Sequence, residues 1–141
     1  MEPSPELVSK IRQTLSAHPE VEVALLFGSR VRGQEKPGSD LDVAIDGADI
    51  DVLELIHELS VATGLEVDVV DLRRSGYPFP LLQILLREGV VIYEGSRHAA
   101  ARWRTQAVLR WEDFRPNWVM MRDAYLKKLA TGPAPQEATD G

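Results

Sequence analysis

The sequence predicts a single α/β (α+β) domain, and three observations carry that expectation. Short apolar, β-rich runs alternate with segments that repeat their apolar residues at helical spacing. Proline and glycine stand where those segments begin and end. A chain of 141 residues also has the length at which one core buries most of the unfolded surface without staples.

The elements follow in order. Leu7, Val8, Ile11 and Leu15 form a helical stripe from Pro5 to about Ala17, with Ser4 as N-cap and Pro5 at the first helical position. His18-Pro19 ends it. Val21 to Phe27 reads as a buried strand, and Ser39 to Ile45 as its neighbour. Asp49 or Asp51 caps a helix with a stripe through Leu53, Ile56, Leu59 and Val61, stopped by Gly64. A strand over Glu66 to Leu72 comes next. Pro78 or Pro80 opens a helix carrying Leu81, Leu82, Ile84, Leu85 and Leu86, which Gly89 closes before a short strand from Val90 to Tyr93. The chain from about Arg97 to Ala130 is helical in composition, and Pro116 removes a backbone donor from it, so two pieces or one bent helix are expected. Residues 131–141 hold Gly132, Pro133 and Pro135 without apolar periodicity and are expected to be disordered.

Composition excludes several kinds of chemistry. There is no cysteine, hence no disulfide framework, thiolate zinc site or cysteine nucleophile. His18, His57 and His98 are far apart and read as surface or packing residues. The acidic, proline-rich start and the lack of a bilayer-length apolar run predict a soluble, cytoplasmic protein. Net charge is −6, but residues 1–72 hold 5 Lys/Arg against 15 Asp/Glu, whereas residues 73–141 hold 11 against 7. An acidic half suits cation capture better than direct nucleic-acid binding, whose footprint is a basic face.

The chemistry concentrates in that acidic half. Gly28-Ser29 follows the first strand, and after ten intervening residues comes Asp40-Leu41-Asp42. In a strand, residues i and i+2 share a face, so Asp40 and Asp42 converge while Leu41 and Val43 turn to the core. Carboxylate oxygens paired in this way suit Mg²⁺, with Mn²⁺ as an alternative, and such ions complete their shells with substrate phosphates. Gly28 and Ser29 sit at a strand-to-turn junction where backbone N–H groups and a hydroxyl hold phosphate. Arg30, Arg32 and Ser39 are further candidates for phosphate contact, and Lys36 lies in the same loop; for the arginines, a solvated loop position is the competing reading. Asp68, flanked by valines, is the candidate third acid, which allows two ions to be held. Asp71 has the opposite parity and is expected to face solvent or cap a turn; Glu66 shares the parity of Asp68 and is held in reserve.

With these residues in view, the chain resembles the polymerase-β-type nucleotidyltransferase superfamily, through the Gly28-Ser29 and Asp40-x-Asp42 pattern. Its short length makes it similar to the minimal nucleotidyltransferases (MNT), the antitoxin half of HEPN/MNT toxin-antitoxin pairs. The likeness spans about Val21 to Tyr93, with a less specific match over Trp111 to Pro116. It implies one nucleotidyltransferase domain over residues 1–130, with a mixed β-sheet flanked by helices and a core over 21–93. It also implies C-terminal helices over about 97–130, metal held at Asp40, Asp42 and Asp68, and phosphate held at Gly28 and Ser29. The implied reaction moves AMP from ATP to a tyrosine hydroxyl of a cognate HEPN RNase toxin, silencing it. Transfer to a small molecule such as an aminoglycoside uses the same acids, and neutralisation by binding alone needs none of them.

Trp103, Ala107, Trp111, Phe114, Trp118, Met121 and Tyr125 recur at spacings of four and three near the C-terminus. Trp103 and Trp111 are expected to pack on the chain's own core. Trp118 and Tyr125 suit contact with a partner, the toxin or a second copy of the chain, as well as they suit packing on the chain's own core. Arg97, Arg102, Arg104 and Arg110 are expected on the solvated side.

Overall fold

The computed structural model describes residues 4–31, 40–74 and 79–130, with the side chains of residues 79 and 114–119 left aside. The elements are α1 (Pro5–Leu15), β1 (Val21–Phe27), β2 (Leu41–Gly47), α2 (Val52–Thr63), β3 (Val67–Asp71), α3 (Phe79–Glu88), β4 (Val90–Glu94) and α4 (Ala99–Ala130). The four strands form one sheet in the order β3-β2-β1-β4. β1 runs antiparallel to β2 and β4, whereas β2 and β3 are parallel, so the sheet is mixed as expected.

Local chemistry sets the boundaries. The Ser4 hydroxyl accepts the Leu7 N–H at 3.1 Å and Pro5 opens α1. Asp51, one of the two expected caps, accepts the Glu54 N–H at 3.1 Å. Gly64 ends α2 in the left-handed region at φ 73°, where a side chain is disfavoured. The Gly89 N–H bonds the Leu85 carbonyl at 3.0 Å and turns the chain from α3 into β4.

One face of the sheet packs on α1 and α2. Ile11, Leu15, Leu55 and Leu59 meet Ala24, Leu26, Leu41, Val43, Ile45, Val67 and Val69 in a continuous apolar core. α3 packs against β1, with Leu82 and Leu85 buried.

One sequence-based expectation changes. Leu53 and Val61 do not belong to the buried stripe of α2; they are 79% and 71% exposed. Leu55 and Leu59 are buried, with Val52 and Ile56 packed beside them, because at 100° per residue these four share one face and Leu53 and Val61 fall on the other. Of the two forms expected for the C-terminal segment, two pieces or one bent helix, the structure has a single helix running from Ala99 to Ala130 through Pro116. Residues 131–141, expected to be disordered, lie outside the described residues.

The chain divides into two compact units, residues 1–107 and 108–141. In the first, Ala99, Trp103 and Ala107 are buried at i, i+4, i+8 along α4. In the second, Met120, Met121, Tyr125, Leu126 and Leu129 are all exposed. Arg97, Arg102, Arg104 and Arg110 are exposed, as expected. Among the described residues no helix is long and apolar enough to cross a membrane.

Candidate active site

The candidate site is built where β1 ends and β2 begins. Phe27 pairs with Asp42 across the antiparallel ladder, which brings Gly28 beside the Asp42 side chain. A Cβ placed on Gly28 would collide with Asp42 Oδ2 and lie 3.2 Å from its Cγ, and Gly28 has φ 86°. Contact with the carboxylate and backbone conformation therefore both require glycine here. The Gly28 carbonyl accepts the Val31 N–H at 3.1 Å, closing a tight turn that carries Ser29 and Arg30, both half-buried.

β3 supplies the third acid. Asp42 and Asp68 are direct register partners on the parallel strands, which at the usual spacing lie about 4.8 Å apart, and paired residues project from one face. Leu41 and Val43, of opposite parity to Asp42, lie in the α1/α2 core, so the acids project from the other face. Asp42 is half-buried and Asp68 exposed. Asp40 is exposed and precedes β2 by one residue; the neighbouring Leu41 N–H bonds the Glu66 carbonyl at 2.8 Å, which ties the start of β2 to β3. Asp71 caps a turn as expected, its Oδ1 accepting the Arg73 N–H at 3.0 Å. Glu66 is exposed, one residue before β3.

Arg32, Lys36 and Ser39, which sequence reasoning placed near phosphate, lie outside the described residues. What sequence reasoning missed is the direct approach of Gly28 to Asp42. Its only signal is a glycine following a strand; the β1–β2 register that gives it meaning is a tertiary fact.

A second acidic group is distinct from this one. His18, Glu54 and Glu58 present ligand atoms all within 4.8 Å of one another. His18 precedes β1, whereas Gly28 follows it, and six residue steps of strand separate the two ends by about 20 Å. A concavity of about 520 Å³ lined by Gly47, Ile50, Asp71 and Arg73 lies at the far end of β2 from Asp42. Arg73 is tied there to Asp46 at 3.0 Å and Glu22 at 2.9 Å.

A mixed sheet with helices on its faces, and acids on adjacent strands beside a glycine turn, defines the class of protein as a nucleotidyltransferase fold. The chain belongs to the family described as Polymerase beta, Nucleotidyltransferase, whose sequence profile matches residues 9–98. No curated protein matches it by sequence. Among solved structures, one described as a toxin-antitoxin with AMP-PNP is 24% identical at TM-score 0.72, over 84% of this chain and 98% of that one. Another is a tri-AMPylated Shewanella oneidensis HEPN toxin in complex with MNT antitoxin, 22% identical at TM-score 0.67 over 85% and 96%. A structure described as the toxin-antitoxin MntA-HepT is 22% identical, also at TM-score 0.67, over 85% and 97%. At these identities the likeness is one of fold.

Proposed function

We propose that this chain is an MNT antitoxin that transfers AMP from ATP to a tyrosine hydroxyl of a cognate HEPN toxin and thereby inactivates it. The observation that carries the reading is the in-register pair Asp42 and Asp68, with the Asp42 carboxylate packed on Gly28. The fold neighbours described with AMP-PNP and with a tri-AMPylated toxin support the choice of nucleotide and acceptor.

The donor set fits a hard divalent cation, because Asp40, Asp42 and Asp68 offer carboxylate oxygens alone and no competing imidazole or thiolate. Mg²⁺ is the expected ion, with Mn²⁺ able to replace it and room for two ions on three acids. When bound, it neutralises charge on the triphosphate and on the departing pyrophosphate. Asp40 and Asp42 would hold the nucleotide-associated ion, and Asp68 would hold the second. The Gly28-Ser29 turn offers backbone N–H groups and a hydroxyl to phosphate, and Arg30 and Arg32 compensate charge on the leaving group.

In the proposed step a bond forms between the tyrosine oxygen and the α-phosphorus, and the bond from that phosphorus to the pyrophosphate oxygen breaks. The tyrosine proton passes to Asp68 and then to water. Positioning and electrostatics supply the rate, with no covalent enzyme intermediate.

The test is the intact mass of the cognate HEPN toxin after incubation with this chain, ATP and Mg²⁺, beside an Asp42→Ala control. A gain of one or more AMP units with the native chain alone is expected. An unmodified toxin in a stable complex would instead assign neutralisation to binding. The exposed Met121 and Tyr125 of α4 offer a docking face under either reading.

A further inference from the structure

We propose that His18, Glu54 and Glu58 form a second metal site, for a divalent transition ion of the Zn²⁺ class, separate from the nucleotide site. The three residues come from two elements: His18 from the connection between α1 and β1, Glu54 and Glu58 from successive turns of α2. Nε2 of His18 lies 2.8 Å from Glu58 Oε1, and all the ligand atoms lie within 4.8 Å of one another. On the far side of the ring, Nδ1 lies 3.1 Å from Glu20 Oε2.

The Glu20 side of that arrangement is the one found behind metal-binding imidazoles, and an ion between Nε2 and Glu58 would take the place of the proton they share. A carboxylate on one ring nitrogen fixes the tautomer and orientation, which leaves the other nitrogen as the ligand. Glu20 therefore acts as a positioning residue, with His18 Nε2 and the two glutamate carboxylates as the ligands. His18 is 9% exposed, so its ring is held by packing rather than sweeping through solvent.

Glu58 has His18 as its counter-charge, and Glu54 has no ion-pair partner among the described residues. Like charges four residues apart on a helix repel. An ion at the centre of the three groups removes that repulsion. Zinc bonds of about 2.0–2.2 Å in tetrahedral geometry place neighbouring ligand atoms roughly 3.3 Å apart, so the His18–Glu58 contact opens by about half an ångström, within the reach of side-chain rotation. Nitrogen together with carboxylate oxygen favours Zn²⁺, and admits Co²⁺ or Ni²⁺, over the all-oxygen shell that Mg²⁺ takes. A water completes the set. The ion would clasp the α1–β1 connection to α2 and stabilise the chain by binding the folded state alone.

The test titrates Zn²⁺ calorimetrically into the full chain, stripped with chelator and carrying Asp40→Asn and Asp42→Asn so that the nucleotide site adds no signal. One Zn²⁺ per chain is expected, with a rise in melting temperature and visible d–d bands when Co²⁺ replaces it. His18→Gln and the double change Glu54→Gln with Glu58→Gln, each checked for fold by circular dichroism, should abolish the binding. Glu20→Gln should weaken it roughly 10–100-fold. An unchanged isotherm in the folded double variant, or no binding to the folded chain with an intact cluster, would overturn the proposal and leave the group as an ion pair.

Discussion

At the scale of single residues, Gly28 is the position at which local backbone and candidate chemistry are hardest to separate. Its φ of 86° and the collision that a methyl group there would make with Asp42 Oδ2 act in the same direction. Gly28→Ala is expected to destabilise the fold by about 1–2 kcal/mol through the left-handed backbone. By displacing the Asp42 carboxylate it should also lower AMP transfer by roughly 100-fold. Thermal denaturation and toxin adenylylation measure the two effects separately; a variant that melts early but transfers AMP at the native rate would show that Asp42 is not displaced. Asp68→Asn keeps the side-chain volume and removes the charge, so it should leave stability within about 0.5 kcal/mol of native while abolishing transfer. The acids were legible in the sequence because strand parity puts Asp42 and Asp68 in phase within their own strands. Their side-by-side placement was not, since it depends on the parallel register of β2 and β3.

At the scale of elements, α2 shows how far periodicity reads. Its ends were legible, because Asp51 and Gly64 do local chemistry that needs no tertiary partner. Its buried face was not, because Leu53 and Val61 are apolar yet point away from the sheet, and hydrophobicity alone does not say which side is covered. Leu59→Ala, in a fully buried site, is expected to cost about 2–5 kcal/mol, whereas Leu53→Lys should change stability by no more than about 0.5 kcal/mol. Chemical denaturation of both variants checks the assignment. The same helix carries a pH dependence in metal-free protein. The hydrogen bond to Glu58 holds His18 above its usual 6.5, against the lowering effect of burial, and Glu20 adds to the upward shift. His18 therefore stabilises the fold fully below pH 6.5, and that contribution is lost as pH rises through its raised folded value. Glu58 is drawn below 4.5 by His18, so its share is present above pH 4.5 and is lost as pH falls through its lowered folded value. Glu54 is pushed above 4.5 by Glu58 and opposes it at that acidic end. Between pH 6 and 8 the His18 share of this cluster is the one lost, and a loss of a few tenths to about 1 kcal/mol is expected with chelator present. A His18→Gln variant should flatten that slope; a slope that persists would assign it to another group.

At the scale of the whole molecule, residues 1–107 and 108–141 differ in what their apolar side chains do. In the first unit the helical stripe ends inside, with Trp103 at 6% exposure and Ala107 at 4%. In the second, Met121, Tyr125 and Leu129 continue it at intervals of four and are each exposed by more than half. The stripe was legible in the sequence as one pattern, but spacing does not reveal which of its residues are buried. Methionine gives a helix face adaptable apolar contact and tyrosine gives it large contact at low entropic cost, and both residue types are enriched at interfaces. If this stretch docks the toxin, Met121→Glu combined with Tyr125→Glu replaces two solvent-exposed groups and should leave the stability of the isolated chain within about 0.5 kcal/mol of native. The same change should weaken the toxin complex by roughly tenfold or more, as truncation of an interface anchor does. Titration calorimetry with the toxin measures the affinity directly, and toxin adenylylation at limiting concentrations of both proteins should fall in parallel. Affinity unchanged in the double variant would move the docking surface off this face of α4. Affinity lost with adenylylation restored at high toxin concentration would separate recruitment by α4 from chemistry at Asp42 and Asp68.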